Sequence, residues 1–142
     1  MKIVIGLVGP IASGIGTISE YLQSRGFVYF SLSNVVREET TARGMEITRE
    51  NLQNIGNQLR ENFGGAVLVH KLEDRIRAHE FVVIDGIRNP EEIFAIKQLF
   101  GGKIVTIAAH KNKRLDRYLQ RAKVRGEDKA SISSFKKIDD RD

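Results

Sequence analysis

The sequence predicts an α/β protein with a parallel sheet and helices on both faces, on three observations. Short apolar runs alternate with segments of helical periodicity, the pattern of repeated strand–helix–strand units. The first run, KIVIGLV from Lys2 to Val8, is continuously apolar, as a strand covered on both faces should be. A chain of 142 residues, 41% hydrophobic and 29% charged, is long enough to bury one core and too short for two. One domain over residues 1–142 is the expectation, with no internal repeat, low-complexity tract or linker.

The elements follow in order. After the first strand, a glycine-rich turn enters a helix that places Ile18, Tyr21 and Leu22 at helical spacing and stops at Gly26. FVYFS, Phe27 to Ser31, is a second short strand. Ser33 or Asn34 then caps a helix through about Arg43, which Gly44 ends. Thr48 caps the next helix, whose Leu52, Ile55, Leu59 and Phe63 form one apolar stripe. Gly64 and Gly65 break the chain before a helix carrying Leu68, Val69, Leu72 and Ile76. FVVIDGI, Phe81 to Ile87, reads as a central strand with an aspartate near its end. Pro90 followed by Glu91 and Glu92 marks a helix start. KIVTIAA, Lys103 to Ala109, is the fourth strand, and the remainder is basic and helical, with Leu115, Tyr118 and Leu119 as a modest apolar face.

Composition excludes several classes. There is no cysteine, hence no disulfide framework and no thiolate metal site. No apolar stretch approaches membrane-spanning length, and the N-terminus lacks the charged region and cleavage site of a signal peptide, so a cytoplasmic protein without membrane partners is expected. His70, His79 and His110 show no metal-ligand spacing. The net charge of +5 is local: residues 1–110 carry 12 basic and 12 acidic residues, and residues 111–142 carry 11 and 6. Such asymmetry points to an anionic partner.

The motif that carries chemistry is GPIASGIGT, Gly9 to Thr17. A strand, two glycines five apart, a third glycine and a hydroxyl residue leading into a helix resemble the layout G-x-x-x-x-G-K-[ST]: Gly9 and Gly14 have its spacing, Ile15 stands at the lysine position, and Thr17 follows one glycine later. Backbone N–H groups in such a nest attract phosphate without any side chain. Asp85 falls at the carboxyl edge of the sheet, where ligands bind in open α/β folds, and an unpaired acid on a buried strand favours a functional reading.

GPIASGIGT, the SNVVREE segment and VVIDGIRNPEE together resemble the P-loop nucleoside-monophosphate kinases, with adenylate-kinase-related and dephospho-CoA-kinase-like proteins nearest in pattern. The resemblance spans nearly the whole chain. It implies a three-layer P-loop NTPase fold, ATP and Mg²⁺ as cofactors, a monophosphate site, and a basic lid over about 111–142. Position by position it implies that Gly9, Ser13, Gly14, Gly16 and Thr17 hold the donor phosphates. Thr17 and Asp85 would serve Mg²⁺, Arg37 and Arg88 the acceptor, and Arg121 and Arg125, with Asp85, the reacting group. Each arginine has a plainer reading: Arg37 as a surface residue, Arg88 as a partner of Glu91 or Glu92, and Arg114, Arg117, Arg121 and Arg125 as a solvated basic face. Asn34 stands where many relatives carry an acid.

Two departures bear on activity. Ile15 removes the cation that accompanies the transferred phosphoryl group. The chain also stops at FKKIDDRD, short of a last strand and helix, so either it lacks that sheet edge or it is a fragment of a longer protein, with a fusion or partner domain completing the edge. The leading expectation is a nucleotide-kinase-like protein, transferring phosphoryl from ATP to a nucleotide or other phosphorylated small molecule, with impaired activity. The alternative is a catalytically inactive nucleotide- or phosphate-binding regulatory domain. A nucleic-acid-binding module ranks last, because the basic segment is diluted by acids and carries few aromatics.

Overall fold

The computed structural model describes residues 2–10, 14–108, 118 and 120. The described elements are β1 (Ile3–Val8), α1 (Ile15–Ser24), β2 (Val28–Ser31), α2 (Leu32–Ala42), α3 (Arg49–Phe63), α4 (Val67–Arg77), β3 (Phe81–Asp85), α5 (Pro90–Phe100) and β4 (Lys103–Thr106). The strands form one parallel sheet in the order β2-β3-β1-β4. Parallel neighbours need long crossovers, which is why helices separate every pair of successive strands.

β3 is central and its Val82, Val83 and Ile84 are all fully buried, so both faces of the sheet are covered. Side chains alternate across a strand. Val4, Val82 and Ile84 join Leu68, Leu72 and Ile96 of α4 and α5 in the main core, while Leu7 and Val83 are buried outside that cluster and α1 packs on β1, β2 and β3. The result is the three-layer α/β fold that the sequence predicts.

Local expectations differ at four places. α2 begins at Leu32 with Ser31 in the cap position, two or three residues before the predicted cap, because β2 runs into the helix without a loop. Gly86 makes that junction possible: its φ is +77°, and a Cβ there would lie 3.0 Å from the Ser33 amide nitrogen. In α1 the buried side is Ile15, Ile18, Ser19 and Leu22, and Tyr21 points outward at 62% exposure. Phe63 is likewise 69% exposed, as the last residue of α3. β4 ends at Thr106 rather than Ala109.

Two helix starts are held by side chains. Thr48 Oγ1 accepts from the Asn51 amide at 3.1 Å. At α5, Asn89 and Glu92 form a capping box with Pro90 in the first turn: Asn89 Oδ1 accepts from the Glu92 amide at 2.8 Å, and Glu92 Oε1 accepts from the Asn89 amide at 3.2 Å. Asn89 Nδ2 also donates to the Gly65 carbonyl at 2.9 Å, tying this start to the α3–α4 turn.

Candidate functional site

β1 delivers the chain to Gly9 and Pro10, and α1 departs from Gly14. Gly14 is the cap residue of α1, with φ 102° in the left-handed region that glycine adopts without penalty. The first helical bond runs from the Ile18 amide to the Gly14 carbonyl at 3.2 Å, so the amides of Ile15, Gly16 and Thr17 precede the helical ladder. Gly16 and Thr17 are exposed, and a Cβ on Gly16 would meet nothing within 4 Å. Ile15 is half-buried at the head of the helix. Leading amides at a helix N-terminus carry the positive end of the helix dipole and suit an anion.

Asp85 ends β3 opposite Ser31 of β2. It is half-buried and not unpaired as expected: the Tyr29 hydroxyl donates to Asp85 Oδ1 at 2.8 Å. The register explains the pairing. Tyr29 sits beside Val83, so Asp85 is its diagonal neighbour on the same face, within reach of a long aromatic side chain. The Tyr29 phenol is pushed up to about 12, first by burial and then by the Asp85 carboxylate, while the Ser31 hydroxyl and Arg37 pull it down.

That shift has a pH consequence. The folded-state value lies above the ordinary 10.0, so the stabilisation is complete below about pH 10 and is lost as pH rises toward about 12. Tyr29→Phe is expected to cost about 1–2 kcal/mol at pH 8. In urea titrations the gap between parent and variant should narrow by pH 11. A gap that stays constant over that range would exclude Tyr29 as the titrating group.

Beyond the sheet edge, α2, α3 and the β3–α5 loop enclose a cleft of about 990 Å³. Arg37, Arg49, Arg60 and Arg88 line it, and among the described residues no acidic one does. The first turns of three helices open on it, through Ser33 of α2, Thr48 and Arg49 of α3, and Asn89 of α5. Arg37 Nη1 donates to Asn34 Oδ1 at 3.0 Å. Glu92, fully buried behind the wall, accepts from the Arg88 amide at 2.7 Å through Oε1 and from Arg60 Nη2 at 3.2 Å through Oε2. Its carboxylate thus joins the Arg88 loop to α3. Four guanidinium groups around one cleft concentrate anions there.

Comparison with known proteins places this geometry. The AAA domain family matches residues 5–137. A UPF0200 protein of Thermococcus onnurineus (strain NA1) is 31% identical over 141 residues, covering 96% of this chain and 76% of the relative. That of Thermococcus gammatolerans is 34% identical over 141 residues, covering 96% and 74%. The chain belongs to the UPF0200 family, and to the AAA domain family. A UPF0200/UPF0201 protein of Archaeoglobus fulgidus is longer: the match, 34% identical over 145 residues, takes in 98% of this chain and 44% of that protein.

Solved structures share the fold of this UPF0200 chain at low identity. One from Chloroflexus aurantiacus has a TM-score of 0.66 at 15% identity, covering 99% of this chain and 76% of that one. A gluconokinase from Sinorhizobium meliloti 1021 has 0.57 at 12%, covering 96% and 72%. A shikimate kinase from Aquifex aeolicus has 0.51 at 20%, covering 97% and 78%. The fold is that of the P-loop kinases.

Within the UPF0200 chain, the structure brings Arg37 and Arg88 to one cleft, puts Gly9 and Gly14 between β1 and α1, and puts Gly16 and Thr17 in the first turn of α1. Ser13, Arg114, Arg117, Arg121, Arg125 and His110 lie outside the described residues. Arg88 engages Glu92 through its backbone amide, while the Glu92 ion pair goes to Arg60. Sequence reasoning missed Tyr29, Arg49, Arg60 and Glu92 as site residues. Only the last had a readable signal, since Asn89-Pro90-Glu91-Glu92 has capping-box spacing. Among the described residues no cluster of three metal-ligating side chains occurs, and no helix is long and apolar enough to cross a membrane.

Proposed function

We propose that this chain is a nucleotide-kinase-like phosphotransferase that binds ATP on the loop after β1, binds a phosphorylated small molecule in the arginine cleft, and transfers slowly because of Ile15. The observation that carries the reading is the cleft itself: four arginines, and among the described residues no acid, line it beyond the carboxyl edge of the sheet. The loop fits a magnesium-bound triphosphate on its own terms. The three leading amides of α1 make no backbone hydrogen bond to the described residues, a Cβ on Gly16 would meet nothing within 4 Å, and Asp85 has one carboxylate oxygen beyond the one bonded to Tyr29. Gly9, Ser13, Gly14, Gly16 and Thr17 would hold the phosphates, and Thr17 and Asp85 the Mg²⁺, which supplies charge neutralisation when bound.

In this reading Arg37 and Arg88 orient the acceptor anion at the sheet edge. Tyr29 keeps Asp85 in place. Arg121 and Arg125 close over the reacting group, as the family resemblance implies. Ile15 presents hydrocarbon where a cation would follow the phosphoryl group, so positioning survives better than transfer. That same residue favours a second reading, a domain that binds nucleotide or phosphate without turnover.

The test is calorimetric titration with Mg·ATP, followed by ADP-release assays against nucleoside monophosphates, beside an Arg37→Gln variant. The expected result is micromolar Mg·ATP binding in both proteins and acceptor binding weaker by about 10–100-fold in the variant. Binding without any ADP release moves the assignment to the non-catalytic reading. Acceptor affinity untouched by Arg37→Gln removes the cleft from the site.

A further inference from the structure

Gly56 is the central residue of α3, where a glycine costs helix stability relative to alanine. The backbone does not require it, since its φ is not in the left-handed region. Packing does not require it either: a Cβ would meet the Val36 side chain at 3.6 Å and Arg60 Nη1 at 3.4 Å, ordinary contact distances. What the missing methyl leaves is clearance beside Arg60 Nη1, on the wall of the arginine cleft. A helical glycine of this kind suits the close approach of a ligand.

Arg60 has the capacity to receive one. Its side chain lines the cleft yet is only 18% exposed. Nη2 donates to Glu92 Oε2 at 3.2 Å, a single bond where a guanidinium and a carboxylate can form two. Nε is buried with no hydrogen-bond partner among the described residues, and Nη1 donates to none of them. Glu92 also takes the Arg88 amide at 2.7 Å, so the Arg60 head is held from behind, next to the Arg88 loop. On the other side, Gly56 abuts Val36, the residue before Arg37, which brings the head to the part of α2 that carries Arg37. A mostly desolvated guanidinium with spare donors gains more from an incoming anion than a surface arginine does.

We infer that Arg60 binds the acceptor's phosphate through Nη1, in the clearance that Gly56 leaves, an inference that rests on the acceptor-site reading above. Arg60 grips the anion from α3 while Arg37 approaches it from α2, and Glu92 sets the Arg60 head for the task. A counter-charge for Glu92 alone would need neither a face on the cleft nor a glycine one turn back along the helix.

The test is titration of isotope-labelled protein with inorganic phosphate, followed by proton–nitrogen NMR at an ionic strength held constant with sodium chloride. The Arg60 Nε–H and Asn57 amide signals should shift saturably, and they report the cleft separately from the loop before α1. Gly56→Ala should raise the phosphate Kd by about tenfold while Tm stays level or rises by up to about 4 °C, since alanine favours the helix. That opposition separates a binding role from a structural one, in which affinity and stability fall together; a joint fall overturns the inference. Arg60→Lys keeps the charge but loses the fork, and should weaken phosphate by about tenfold as well. Phosphate affinity within about twofold of the parent in both variants overturns the inference, and a loss in Arg37→Gln would then leave the acceptor site standing. Shifts that never saturate signal general attraction and overturn it too. If phosphate moves no signal in the cleft, and Arg37→Gln changes nothing, the acceptor-site reading falls with it.

Discussion

Ile15→Lys is expected to raise phosphoryl transfer by about 10²–10³-fold, the scale on which one preorganised electrostatic donor acts in a water-poor site. The position is the first residue of α1, directly after the left-handed Gly14, so a lysine there would extend beside the leading amides of α1, where the proposed reading seats the donor phosphates. The substitution suits the fold. Ile15 is half-buried, and a lysine can lay its methylene stem along that surface while its ammonium reaches the loop mouth. Because the charge matters most where the phosphoryl group is in flight, turnover should gain more than Mg·ATP affinity. ADP release under saturating Mg·ATP, with and without added monophosphates, separates the two quantities. A variant that binds and turns over like the parent would mean that the loop does not carry the triphosphate, and the functional reading would lose its donor site.

Glu92→Ala is expected to cost about 3–4 kcal/mol, with a fall in Tm of roughly 10 °C. Three losses act together at this fully buried side chain. The amides of Arg88 and Asn89 lose their acceptor, the α5 capping box is broken, and the Arg60 guanidinium, with a side chain 18% exposed, is left without its counter-charge. Arg60 Nε is already buried with no hydrogen-bond partner among the described residues, so this corner has little polar capacity to spare. Partial solvent access to Arg60 keeps the figure toward the lower end of the range for broken buried pairs. Glu92→Gln retains an acceptor for the two amides and should cost about half as much. Acceptor binding should weaken in both variants, since Glu92 holds the Arg88 loop against α3. Urea unfolding measures the first effect and calorimetry the second. A Glu92→Ala protein within about 1 kcal/mol of the parent would show that helix packing alone positions this loop.

Both experiments concern residues that differ in how much of their role was readable. Ile15 stands out in the sequence because a short, glycine-defined loop has few residues and each has a fixed duty. Glu92 reads only as a favourable acid in a first turn, and its ion pair with Arg60, 32 positions away, is invisible until α3 and α5 are set side by side. The hydrophobic pattern shows the same limit. Periodicity correctly marks the inner face of α3 at Ile55 and Leu59, yet it extends the stripe to Phe63, the last residue of the helix, which is 69% exposed.

By itself, the sequence determined the strand and helix order, the central place of the Phe81 strand, the glycine spacing of the loop and the absence of its lysine. These are local properties: backbone freedom, periodicity and the identity of one residue beside its neighbours. Only the tertiary structure decided which charges meet. Tyr29 reaches Asp85 because parallel pairing of β2 with β3 offsets them by two residues on one face. The four arginines become one site because α2, α3 and the turn after β3 fold around a common cleft, from positions spread between 37 and 88 in the chain. Charges act through space over distances set by packing, and the spacing of arginines along a chain carries no record of that distance.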